Sequence, residues 1–91
     1  MTQQEHKHHE INIVVVVNGH PVPFDHISVK TVLRELVHEA LKKSGNSGQP
    51  IENWELRDAA GQILDLHRTL ADYGIMSGAN LFLSLKAGVG G

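Results

Sequence analysis

Cysteine is absent from the 91 residues. That excludes a disulfide scaffold and a thiol enzyme together. Aromatic residues make up only 4% while hydrophobic residues reach 41%, so any core is Val, Ile and Leu around one Trp. No basic cluster stands out, and the formal net charge is −2 with a pI near 6.4. Binding to nucleic acid or to an anionic membrane therefore has no electrostatic basis. The longest apolar run, Ile13 to Val17, is too short to span a bilayer, and the polar N-terminus is no signal peptide. These absences leave one soluble, cytoplasmic domain as the expectation.

Met1 to Glu10 is polar and carries His6, His8 and His9. Those histidines, with Glu5 or Glu10, have the side chains to hold a divalent metal. Nothing nearby orients the imidazoles, so a disordered tail without a metal site is the expectation. Ile11 to Val17 is a β-branched strand, Asn18-Gly19 a hairpin turn, and Val22 to His26 a second strand. Pro21 and Pro23 place that second strand at a sheet edge. Ile13, Val15 and Val17 share one face of the first strand, and Val14 and Val16 share the other. Both faces are apolar. The strand is either buried on two sides or presents a sticky outer surface.

A helix is predicted over Val29 to Lys43, capped by Ser28 and stopped at Gly45, with Arg34, Glu35, His38 and Glu39 on its wet face. Ser44 to Pro50 reads as a flexible link, and no Gly-Lys-Ser/Thr follows its glycines, so it is not a phosphate loop. Trp54 to Arg57 reads as a short strand, Asp58 to Gly61 as a turn, and Gln62 to Leu64 as another short strand. Ile63, Leu64, Leu66 and Leu70 are expected to close the core beneath the helix. The acid–base pairs Asp65 with His67 and Asp25 with His26 sit in turns or strand ends where side chains diverge. No nucleophile–base–orienter set emerges, and catalysis by this chain is not expected.

Residues 68 to 91 read RTLADYGIMSGANLFLSLKAGVGG. The first part is a compact turn around Tyr73, whose hydroxyl is expected to bond a backbone group. Next comes a strand with Leu81, Leu83 and Leu85 on one face and Phe82 and Ser84 on the other. KAGVGG can form no core element. RTLADYGI, followed by that strand and Gly90-Gly91, resembles ubiquitin and its ubiquitin-like modifier relatives, and AAGQILDLHRTLADYGI is similar to the family from its glycine-containing turn through its tyrosine loop. The resemblance implies an α+β β-grasp fold, one helix across a mixed four- to five-stranded sheet. It divides the chain into a disordered tail (1–10), a domain (11–86) and a flexible conjugation tail (87–91).

The family's chemistry implies that Gly91 is adenylated, passed to a cysteine of an enzyme as a thioester, and joined to a target amine. Gly90 and Gly91 suit that role because a residue without Cβ leaves the terminal carbonyl unhindered and threads a narrow channel. The implied partners are an activating enzyme, a conjugating enzyme, a deconjugating peptidase and target proteins. The chain itself would be a monomer that binds no cofactor, ATP being used by the activating enzyme. Departures from ubiquitin are informative. One cation, Lys86, follows Leu85 where ubiquitin carries two arginines; these two residues are the candidates for tail recognition. The family's apolar recognition patch maps onto Arg57 or Asp58 and Ser84, and its main chain-building lysines onto Gln62 and Ser77. The pattern is similar to divergent modifiers of bacterial ubiquitination-like operons. A β-grasp sulfur carrier with a thiocarboxylate at Gly91 and a non-conjugated interaction domain are the alternatives. Strand parity also brings Val14, Val16 and Phe82 together on the open sheet face beside Arg57, as an expected partner-binding patch for the activating or deconjugating enzyme.

Overall fold

A computed structural model describes residues 9–88. The elements follow in the order β1 (Glu10–Val17), β2 (His20–Ser28), α1 (Leu33–Lys43), β3 (Trp54–Arg57) and β4 (Asn80–Leu85), with one-turn 3-10 helices at Ile51–Asn53 and Ala71–Tyr73. The sheet has four strands in the order β2-β1-β4-β3. β1 and β4 run parallel at its centre, and the two outer pairs are antiparallel. This is the β-grasp arrangement expected from the sequence, with a mixed sheet of four strands among the described residues.

The β1–β2 hairpin turns on Asn18 (φ 48) and Gly19 (φ 88). Asn-Gly suits that turn because both central residues need positive φ. β2 lies at the edge, as its two prolines require, and it is longer than Val22 to His26. Its extra length passes through a bulge: Asp25 and His26 stand opposite Asn12, between the Ile11–Ile27 and Ile13–Phe24 pairs. Asn12 Oδ1 accepts the His26 N–H at 2.8 Å, replacing the lost ladder bond while His26 adopts φ 57.

Helix α1 begins at Leu33, four residues after the predicted start, and Ser28 does not cap it. The reason is a competing set of backbone partners. Val29 N–H bonds His9 O, Leu70 N–H bonds Thr31 O, and Ala71 N–H bonds Val29 O. Val29, Thr31 and Val32 are β-branched and favour the extended backbone that these bonds need. Val32 is consequently half-buried rather than sealed, as its place in the predicted helix implied. Ser28 Oγ instead accepts the Lys30 N–H. The first donors of the helix, on Leu33 and Arg34, bond the carbonyls of Arg68 and Leu66, so its N-terminus is filled by protein.

The core lies between α1 and one sheet face. Ile13, Val15, Val17, Leu36, Leu56, Leu81 and Leu83 are buried there, with Leu33, Val37, Trp54, Leu64 and Leu70. Leu66 and Leu85 are only half-buried. Ile63 does not join the core: it is 56% exposed. Gln62 to Leu64 forms no strand of its own either. It contributes one bridge, Arg57 with Ile63, and points Leu64 inward, so parity turns Ile63 to solvent.

Candidate conjugation tail and open sheet face

The tail root is built on β4. That strand is fixed on both sides, by β1 through Val14–Asn80 to Val17–Leu83 and by β3 through Trp54–Leu85 to Arg57–Phe82. Pairing continues one residue further, since the Lys86 N–H bonds Asn53 O at 2.8 Å. Lys86 is exposed, and beyond it Ala87 and Gly88 form a turn. Gly88 has φ +87 with open space around the position of a Cβ. Leu85 and Lys86 thus stand side by side at the strand's exit, one half-buried and one exposed. Gly90 and Gly91, the proposed point of conjugation, lie outside the described residues, as do His6 and His8 of the N-terminal segment. β1 already includes Glu10, which the sequence reading places in the N-terminal segment.

Beside the tail root, Glu52 is held below the usual carboxylate range, first by hydrogen bonding to its own backbone and then by Arg34. The Arg34 Nη2–Glu52 Oε2 distance is 3.2 Å. A cleft of about 300 Å³ runs from there along Ile51, Trp54, Ile63 and Leu66 to Lys86. Among the described residues the Trp54 indole N–H has no hydrogen-bond partner and is sealed from solvent. An acceptor atom of a ligand is as large as water and meets the same barrier, so this orphan donor does not mark a binding site.

The turn motif has a plain physical content. Thr69 Oγ1 accepts the Asp72 N–H at 3.1 Å and Asp72 Oδ2 accepts the Thr69 N–H at 2.9 Å, a reciprocal cap. Leu70 is buried, and Gly74 closes the turn with φ 64. The Tyr73 hydroxyl does bond the backbone, as the acceptor of the Asp65 N–H at 2.8 Å. RTLADYGI is therefore a clamp: it fastens its own loop and supplies, from Arg68, one of the two carbonyls that receive the start of α1. The Thr-x-x-Asp spacing was the signal for its cap. Asp65 and His67 form no acid–base pair, because Asp65 Oδ1 accepts the His67 backbone N–H. His26 instead faces Glu10 across 3.9 Å.

On the open face the register sets Pro21, Val16, Phe82 and Arg57 in one row across all four strands, with Pro23, Val14 and Asn80 in the next. Phe82 is 41% exposed, and Val14 and Val16 are half-buried. The four residues expected to form a patch are thus neighbours. Pro21 and Pro23 extend it; the sequence marked them as edge residues but not as part of this surface. Arg57, rather than Asp58, is the β3 residue facing outward beside Phe82, and its Nη2 lies 2.6 Å from Glu55 Oε2. Among the described residues there is no helix long and apolar enough to cross a membrane.

Comparison with known proteins agrees with this architecture. The chain is similar to a de novo protein designed on the basis of ubiquitin (TM-score 0.72, 21% identity, 91% of this chain and 96% of that one). It is similar also to the ubiquitin of Caldiarchaeum subterraneum (TM-score 0.71, 19% identity, 90% and 99%). At these identities the likeness concerns the fold. An uncharacterized protein of Sinorhizobium fredii, y4jI, is 43% identical over 82 residues, which are 90% of this chain. The match spans 62% of that relative's length. With residues 6–91 matching the family described as Protein of Unknown function (DUF2604), the chain belongs to that family, and its fold is ubiquitin-like.

Proposed function

We propose that the chain is a ubiquitin-like protein modifier, activated at Gly91 by an ATP-dependent enzyme and conjugated to target amines through a thioester relay. The observation that carries this reading is the way β4 ends. The central strand, paired on both sides, leads directly into exposed Lys86 and a glycine-containing turn, so a partner can pull on the tail without disturbing the core. The ubiquitin-like fold supports it, and so does the sequence Gly-Val-Gly-Gly that follows Ala87. The reading needs a free carboxylate on Gly91, as the chain end or after cleavage beyond it. In that role the chain is the substrate of other enzymes and holds no cofactor itself. Lys86 and Leu85 are the residues an activating enzyme would read at the root of its channel.

The test uses Lys86 as a cleavage point. Tagged chain is expressed in its native cells, purified under denaturing conditions and digested with trypsin. Targets should carry the remnant Ala87-Gly88-Val89-Gly90-Gly91 on lysines, and a chain lacking Gly91 should leave none. Recovery of unmodified chain alone overturns the reading. An intact mass showing one sulfur in place of one oxygen at the C-terminus would instead assign a sulfur carrier.

A further inference from the structure

From Ile13 to Val17, β1 is a run of β-branched residues apolar on both faces, a pattern typical of a strand covered on both sides. Among the described residues of one chain, only the Ile13, Val15 and Val17 face is covered. The opposite face leaves Val14, Val16, Phe82, Pro21 and Pro23 facing solvent. We infer that this open face pairs weakly with the same face of a second copy, giving a four-layer helix–sheet–sheet–helix dimer.

Three features select a second copy and this mode. First, the sheet edges are poor sites for adding a strand. Opposite Val16 and Val14, Pro21 and Pro23 have no N–H, so the outer edge of β2 lacks those two donors. Along β3, Leu64 N–H bonds Leu56 O and Asp58 N–H bonds Gln62 O, which covers the end of that edge. Second, the face is self-complementary. A two-fold axis parallel to the strands and midway between β1 and β4 sets Val16 against Phe82 of the second copy, and Phe82 against its Val16, a small side chain opposite a large one. The same axis sets Pro21 against Arg57, whose guanidinium keeps its Glu55 partner. Third, the area fits a weak contact. Four strands ~4.8 Å apart and about six residues long present a face of about 20 Å by 20 Å. Two such faces bury about 800 Å², below the ~1,000 Å² of a stable specific interface, so only weak, concentration-dependent association is expected. Dilute chain would then be the monomer expected from sequence.

Sedimentation velocity from about 10 µM to about 1 mM, where a weak contact becomes populated, tests the inference. The wild-type chain should shift from monomer to dimer. Phe82→Glu and Val16→Lys should each remain monomeric over the same range, with unchanged thermal midpoints. Mixed together, they should associate, because the register opposes the introduced acid and base at one contact and leaves the other Val16–Phe82 contact intact. A wild-type chain that stays monomeric throughout overturns the inference, as does a dimer that survives both substitutions. Failure of the mixture to associate overturns the two-fold register. None of these readouts involves Gly91, so their failure leaves the conjugation reading standing, and its failure leaves them decisive.

Discussion

The two faces of the sheet are made of similar residues and meet different fates. On the inner face Val15 and Val17 are 0% exposed, while on the outer face Phe82 is 41% exposed. The difference is not hydrophobicity. It is the position of α1, which covers one side of the sheet and leaves no element among the described residues for the other. Alternation along β1 and β4 therefore divides buried from open positions one residue at a time.

The sharpest way to break that comparison is to truncate one residue on each face. Leu83 is 1% exposed, so Leu83→Ala should cost about 2–5 kcal/mol in urea unfolding, from lost burial and the cavity left behind. Its neighbour Phe82→Ala should cost less than about 1 kcal/mol, as a surface change does, when measured on dilute monomer. Equal losses would show that Phe82 is packed as core and that the outer face is no recognition surface.

The loop from Asp65 to Gly74 offers a second contrast, since hydrogen bonds hold it more than burial does. Tyr73→Phe removes the acceptor of the Asp65 N–H and keeps the ring. The expected loss is about 0.5–1 kcal/mol, at the low end for a hydrogen bond because Asp65 is exposed and water can replace the hydroxyl. A chain fully insensitive to the change would mean that ring packing alone sets the loop.

Most of the strand framework was legible in the sequence because it is written in a period of two. The inward set of β1, the outward Phe82, the Asn-Gly turn and the edge prolines all follow from alternation and backbone chemistry. The start of α1 was not legible. Val29 and Val32 fit a helical spacing, yet the backbone groups of Val29 are claimed by His9 and Ala71 and the carbonyl of Thr31 by Leu70, all distant in sequence. Ile63 was misplaced for a related reason: an apolar residue in a bridge takes whichever side parity allows. The bulge at Asp25 and His26 had no local signal, since it depends on the Asn12 side chain reaching across. The candidate site divides in the same way. Parity was enough to assemble Val14, Val16, Phe82 and Arg57, while the tail beyond Gly88 is known from composition alone.

The smallest effect expected separates charge from hydrogen bonding in the loop's cap. Asp72 is held below the usual carboxylate range chiefly by the Thr69 backbone N–H, with the Thr69 hydroxyl and the Arg68 charge adding to it and desolvation opposing. A carboxylate depressed on folding stabilises the native state fully above its ordinary value. That contribution is lost as pH falls through the depressed one. Asp72→Asn keeps an oxygen that can accept the Thr69 N–H but removes the charge. The wild-type chain should therefore be slightly the more stable at neutral pH, and its advantage should shrink as pH falls below about 4. Comparing urea midpoints of the two chains cancels the titration of Glu52, which both retain. A difference that stays constant into acid would place the cap's contribution in geometry, with the Asp72 charge irrelevant to it.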